Sequence, residues 1–200
     1  MTRPRAGCYP GSFNPLTRAH LALAEAALEQ AGLDRIDLVV SRAALGKLDL
    51  RVPTLAHRVE VLEAAAASRP WLGVAVTGAQ LLVDVADGYD AVVMGADKWA
   101  QVLDAAWYAT PAARDDAVAV LHGRVWVAVR PPHTDPDHPA VRILRTGPEH
   151  HAVSSTAVRA GRREWMADEA AAFDAATGAW SDPDRYRARF GIEDSSTPQS

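Results

Sequence analysis

Two hundred residues are enough for one α/β domain with a real core, and barely enough for two. The 21 Lys and Arg residues against 25 Asp and Glu leave a formal charge of −4, which argues against a nonspecific nucleic-acid binder. Cys8 is the sole cysteine, so an intrachain disulfide and a Cys-rich zinc site are both excluded, and no apolar run approaches the ~20 residues of a membrane span. Arg3 and Arg5 make the N-terminus weakly basic, but no apolar segment follows them. The expectation is a cytoplasmic, soluble, single-domain protein that binds neither nucleic acid nor membrane.

In chain order, Ala6–Tyr9 reads as a short buried strand, followed by the loop Pro10-Gly11-Ser12-Phe13-Asn14-Pro15. Leu21, Ala24, Leu28 and Ala31 recur at helical spacing, so a helix is predicted from about Arg18 to Ala31, with Gly32 at its C-terminal cap. Ile36–Val40 is the next strand. A polar, basic loop over Ser41–Pro53 leads to a helix from about Thr54 to Ala67. Trp71–Val76 is a third strand, and Ala79–Ala86 a short helix. Tyr89–Met94 is nearly all apolar, as a parallel strand buried on both faces should be. Gly95-Ala96-Asp97 closes it, and a helix around Trp99–Leu103 follows. Val125–Val129 is a fifth strand and Val141–Leu144 a sixth.

Strands alternating with helices predict an α/β fold, a doubly wound parallel sheet of five or six strands, Rossmann-like, with a helical C-terminal tail. Ligands in such folds bind at the carboxyl ends of the strands, which selects the loops at 10–20, 41–53, 95–99 and 150–160. Residues 1–163 form the domain, 164–192 a helical extension of it without evident chemistry, and the polar 193–200 a disordered end. Residues 140–163 carry five arginines against one glutamate, and 164–200 eight acids against three arginines. A local basic patch on an acidic chain suits a small anionic ligand better than a polymer.

A strand, a Gly-containing loop and a helix N-terminus together make a phosphate cradle. Gly11 lets the backbone approach closely, and Thr17 and His20 stand three apart at the helix start, so both can face one bound group. No Gly-Lys-Ser/Thr follows, and G-x-G-x-x-G is absent, so this is neither a Walker loop nor a dinucleotide fingerprint.

Tyr9-Pro10-Gly11-Ser12-Phe13-Asn14-Pro15-Leu16-Thr17-Arg18-Ala19-His20 resembles the nucleotidyltransferase signature G-x-F-D-P-x-[HT]-x-G-H. Val153-Ser154-Ser155-Thr156-Ala157-Val158-Arg159 resembles its second half, I-S-S-T-x-[IV]-R. Between them His57–Leu62, Met94–Asp97 and Trp107-Tyr108 are similar to stretches of bacterial nicotinate-mononucleotide adenylyltransferases. Asn14 stands for the usual Asp and Ala19 for the Gly. Thr17 stands for the first His, as in phosphopantetheine adenylyltransferases, whose opening Tyr-Pro-Gly-Ser-Phe is also matched. Residues 77–88 are shorter than in the nicotinate-mononucleotide enzymes, and their Thr-Tyr pair is absent.

The resemblance implies an adenylyltransferase in which the phosphate of nicotinate or nicotinamide mononucleotide attacks the α-phosphorus of ATP, releasing pyrophosphate. In such chemistry alignment and charge stabilisation count for more than covalent help. His20, Thr17 and Arg159 are then the catalytic candidates: His20 stabilises the transferring group, Thr17 donates where relatives place imidazole, and Arg159 clamps the leaving phosphates. Gly11, Ser12, Phe13, Gly95, Asp97, Ser154, Ser155 and Thr156 are the nucleotide-binding candidates, with Ser154–Thr156 as a second helix-start anion site. Lys47, Arg58 and Trp107 are the acceptor-binding candidates. Mg²⁺ is expected with ATP and not as a protein-caged ion.

Blander readings stand beside these. Thr17 and Ser155 are good helix N-caps whatever binds, and Asp97 can simply cap the helix that follows it. Trp99 and Trp107 read first as core, Cys8 as a small buried hydrophobe, and His133–His138 as a solvated turn. Two other functions stay open: the same chemistry on phosphopantetheine or a phosphorylated alcohol or sugar, favoured by Thr17 and the short 77–88 segment, and a nucleotide-binding module that has lost catalysis, favoured by Asn14 and Ala19. A homo-oligomer is also open.

Overall fold

The computed structural model describes residues 3–42, 52–131 and 133–192. Lys47 and the end at 193–200 lie outside the described residues.

The strands β1 (Ala6–Pro10), β2 (Arg35–Ser41), β3 (Leu72–Thr77), β4 (Ala91–Gly95), β5 (Val125–Ala128) and β6 (Val141–Leu144) form one sheet in the order β3-β2-β1-β4-β5-β6. Every pairing is parallel. The apolar runs of β2 and β4 are buried because helices cover both faces. α1 (Arg18–Ala31) and α2 (Leu55–Ala67) pack one face together with the C-terminal segment. α3 (Leu82–Val85), α4 (Ala96–Leu103) and α5 (Pro111–Leu121) pack the other. Chain order reverses between β1 and β4, so the crevice beyond their carboxyl ends is where a ligand is expected. No helix among the described residues is long and apolar enough to cross a membrane.

The helix predicted from Arg18 to Ala31 is observed with those bounds, and Gly32 caps it at φ 60° in the left-handed region. Several expectations need correction. The helix predicted over Ala79–Ala86 is the single turn α3, because Thr77 Oγ1 accepts the Ala79 N–H and Ser41 Oγ donates to the Ala79 carbonyl, which holds the segment in an extended connection. α4 starts at Ala96, directly after β4, so Asp97 lies in its first turn and not at the strand end. α5 was not anticipated, although Thr110 as N-cap and Pro111 at the first helical position are its sequence signals.

The C-terminal extension is built into the core. α6 (Ser155–Arg159) is followed by α7 (Asp168–Thr177) and α8 (Pro183–Phe190). Trp180 and Tyr186 are buried in the same cluster as α1 and α2. Tyr186 Oη accepts the Thr54 N–H at 3.0 Å, at the start of α2, and its hydroxyl is hydrogen-bonded to His57 Nδ1. Arg69 and Glu169 pair at 2.8 Å between α2 and α7. Cys8 is fully buried, which pushes its thiol pKa up to about 12 and keeps it a neutral small hydrophobe.

Candidate active site

The loop from β1 to α1 is shaped by Gly11 and Phe13. A Cβ at position 11 would stand 2.8 Å from the Phe13 ring, so only glycine lets that ring fold over the loop. Phe13 itself has φ 43°, a left-handed backbone that is costly for an aromatic residue and is held by burial of its ring. The ring stands edge-on to Tyr9 and His20, with centroids 5.5 and 5.2 Å away. The Gly11 N–H donates to the Val39 carbonyl at 3.0 Å, so position 11 contributes space and not the phosphate donor predicted for it. Arg58 braces the loop from α2, donating to the Ser12 carbonyl at 2.7 Å.

Thr17 caps α1 and is reciprocated by His20. The Thr17 backbone N–H donates to His20 Nδ1 at 3.0 Å, and Thr17 Oγ1 lies 2.9 Å from the same nitrogen. A backbone N–H can only donate, so Nδ1 is the acceptor and the imidazole proton sits on Nε2. Thr17 is buried: its backbone N–H fixes the tautomer of the ring, and its hydroxyl accepts the His20 backbone N–H and helps to orient the ring.

The opposite wall comes from the segment before and within α6. Its N-cap is Ser154, not Ser155: Ser154 Oγ accepts the Ala157 N–H at 3.1 Å. Ser155 Oγ donates instead to the Pro15 carbonyl at 2.7 Å and ties this segment to the first loop. Arg159 donates to the Asn14 carbonyl and reaches Thr156 Oγ1 at 3.4 Å. α6 has only five residues, so the predicted helix-start anion site reduces to these side chains and their local backbone. Asn14 is buried, and its Oδ1 accepts the Trp180 indole N–H at 2.5 Å, so the C-terminal segment supports the loop from behind.

The two walls enclose a cavity of about 820 Å³ at the switch point of the sheet. It is lined by His20, Thr17 and Arg159, by Gly11, Ser12 and Phe13, by Gly95 and Asp97, and by Ser154, Ser155 and Thr156. Candidates from two motifs far apart in sequence are thus brought to one space. A smaller cavity of about 110 Å³ adjoins it, with Arg58 and Trp107 in its lining beside Val40, Leu82, Gln101 and Tyr108. Arg58 is buried, its Nε has no hydrogen-bond partner, and desolvation lowers its pKa. Burial pushes the Tyr9 hydroxyl pKa up, keeping it neutral at the floor of the larger cavity.

Sequence reasoning did not single out Lys98, Arg130, His150 and His151 as lining residues. The local excess of arginine over residues 140–163 marked the neighbourhood but not the residues. Among the described residues Asp97 is the one carboxylate in the larger lining, and no group of three or more His, Cys, Asp or Glu could hold a metal ion. That donor set suits a divalent cation delivered on a polyphosphate better than one caged by protein.

The 3-2-1-4-5-6 parallel sheet, with a glycine loop, a helix start and a Ser-Ser-Thr…Arg segment around one switch-point cavity, is a Rossmann-like fold with its candidate site at the carboxyl ends of the strands. The chain belongs to the cytidylyltransferase-like family, whose model matches residues 8–161. Over 70 residues it is 36% identical to a probable nicotinate-nucleotide adenylyltransferase of Bordetella pertussis, covering 35% of each chain. Over 73 residues it is 33% identical to a protein of the same name from Enterococcus faecalis, covering 36% of this chain and 33% of that one. The match thus spans about a third of the length of these curated relatives. The fold is similar to that of Plasmodium falciparum nicotinic acid mononucleotide adenylyltransferase complexed with APC, with TM-score 0.64, 10% identity and coverage of 89% of this chain and 98% of that one. The complex of the same protein with NaAD gives TM-score 0.64 at 11% identity, with the same coverage.

Proposed function

We propose that this protein transfers AMP from ATP to the phosphate of nicotinate or nicotinamide mononucleotide, forming a dinucleotide and releasing pyrophosphate. The observation that carries the reading is the convergence of His20 and Arg159, from opposite ends of the chain, on one cavity joined to a second, smaller one. ATP occupies the larger cavity. His20 Nε2–H donates to the transferring phosphate, with Thr17 holding the tautomer. Arg159 swings from the Asn14 carbonyl to the departing phosphates, a charge-assisted contact. The loop backbone at Ser12 and Phe13, Gly95, and Ser154–Thr156 complete the nucleotide site, and Asp97 meets the ribose or the acceptor. Mg²⁺ bound to the triphosphate would neutralise part of its charge, with Asp97 the nearby carboxylate of the described lining.

The acceptor enters the smaller cavity. Trp107 and Tyr108 give it aromatic walls, its volume of about 110 Å³ suits a single ring better than a long pantetheine arm, and Arg58 supplies a buried positive charge near the loop. Lys47, outside the described residues, is proposed to grip the acceptor phosphate on the strength of the resemblance. The direct test is the full chain with ATP, Mg²⁺ and each mononucleotide, followed by pyrophosphate and dinucleotide. Turnover with either supports the reading. Pyrophosphate release only with phosphopantetheine or another phosphorylated acceptor moves the assignment to that acceptor, and ATP binding without pyrophosphate release marks a lapsed module.

A further inference from the structure

The larger and the smaller cavity have four lining residues in common: Pro10, Gly11, Ser12 and Lys98. If ATP and acceptor occupy the two spaces, this seam is where the acceptor phosphate meets the α-phosphorus. Three of the four residues are uncharged. Lys98 is the cation of the set, and it lies in the first turn of α4, immediately beyond the carboxyl end of β4. Its Nζ donates to Gln101 Oε1 at 2.6 Å, one turn further along the same helix and in the lining of the smaller cavity. This bond ties the ammonium to the next turn of α4.

We propose that Lys98 is a catalytic residue of the transfer step, pairing with phosphate oxygens of both reactants at the seam. The inference rests on the nucleotidyl-transfer reading and adds to it a residue that neither motif contains. An acceptor phosphate oxygen forms the new bond to the α-phosphorus while the bond from that phosphorus to the β-bridging oxygen breaks. The electron pair of the broken bond leaves with pyrophosphate. Two anionic phosphates must therefore approach within bonding distance, and their repulsion opposes the approach until a cation lies against both. An ammonium with three rotatable donors can follow two phosphates that move relative to each other, whereas a guanidinium presents its donors in a fixed plane.

The test compares the full chain with Lys98→Met, which keeps the alkyl stem, and Lys98→Arg, which keeps the charge. With ATP, Mg²⁺ and nicotinate mononucleotide, Lys98→Met is expected to lower kcat about 10²-fold, as for loss of one preorganised donor to developing charge, and to raise the KM for ATP by no more than the roughly tenfold loss expected for AMP. Lys98→Arg should recover part of that loss. A second measurement needs no turnover: calorimetric titration with AMP, whose phosphate takes the α position, and with adenosine, which has none. Lys98→Met should weaken AMP roughly tenfold, the scale of one charge-assisted contact, and leave adenosine unchanged. An unchanged kcat, or AMP affinity equal to that of the native chain, overturns the proposal. If the native chain makes no dinucleotide, the acceptor reading falls and the AMP titration still decides the role of Lys98.

Discussion

The two walls of the larger cavity are built in opposite ways. On the β1–α1 side Phe13, Asn14 and Thr17 are buried, and each position is held by contacts from several directions: the Tyr9 ring, the Trp180 indole and the reciprocal Thr17–His20 cap. On the α6 side the helix is a single turn, Thr156 and Arg159 are exposed, and the guanidinium rests on one carbonyl and one hydroxyl. The difference fits the two proposed tasks. A donor to the transferring phosphate gains most from preorganisation, because any reorientation at the moment of reaction costs rate. A clamp on a departing group gains from reach, and a long side chain on a short, exposed element has it.

That contrast breaks first at His20. His20→Ala should lower kcat about 10²–10³-fold, with a smaller effect on the KM for ATP, measured as pyrophosphate release under saturating acceptor. Arg159→Ala should cost less, roughly 10–10²-fold, the range of one lost hydrogen bond to a charged group, and the loss should fall mainly on the KM for ATP and grow with salt. If the two variants exchanged these signatures, the assignment of a fixed wall and a reaching wall would be wrong.

Trp180→Phe sharpens the comparison from behind the loop. It removes the N–H that Asn14 Oδ1 accepts and leaves a buried acceptor without a donor. The expected cost is about 1–3 kcal/mol, which for a domain of this size lowers the melting temperature by roughly 2–12 °C. Asn14→Leu removes the acceptor as well, so Trp180→Phe made in that background should cost less than Trp180→Phe made in the native chain. Equal losses would mean that the indole acts through packing alone.

The sequence made the sheet legible for physical reasons. The β2 and β4 runs are apolar because both faces are covered, and α1 shows itself through Leu21, Ala24, Leu28 and Ala31 with Gly32 behind it. α5 escaped because Ala117 and Leu121 are its buried residues while Val120 faces outward, which blurs the apolar stripe. The C-terminal segment is helical as expected, but its place in the core escaped for a related reason. It anchors through isolated aromatics, Trp180 and Tyr186, among charged neighbours, so its composition reads as surface. The motif residues of the site could be read because their spacing is local. The engagement of the Gly11 N–H by Val39 and the place of Lys98 between two cavities are products of tertiary structure, and no pattern along the chain encodes them.

The smallest predicted effect lies farthest from the cavity, where α2 meets α7. Burial tends to raise the Glu169 pKa, but hydrogen bonds from Arg69 and the backbone, with the charge of Arg69, outweigh it, and the net shift is downward. A carboxylate whose folded pKa is depressed contributes stability that is fully present above its unfolded pKa, near 4.3, and is lost as pH falls through the lower folded value. Glu169→Gln should therefore cost no more than about 1 kcal/mol at pH 7, as expected for a partly exposed pair. The gap to the native chain should narrow below about pH 4 as both carry a neutral group there. Denaturant melts at pH 7 and at pH 3 measure the gap directly. A gap that persists unchanged at low pH would show that the position matters for its shape and not for its charge, and the link from α7 to α2 would then be packing, like the contacts of Trp180 and Tyr186 with the rest of the core.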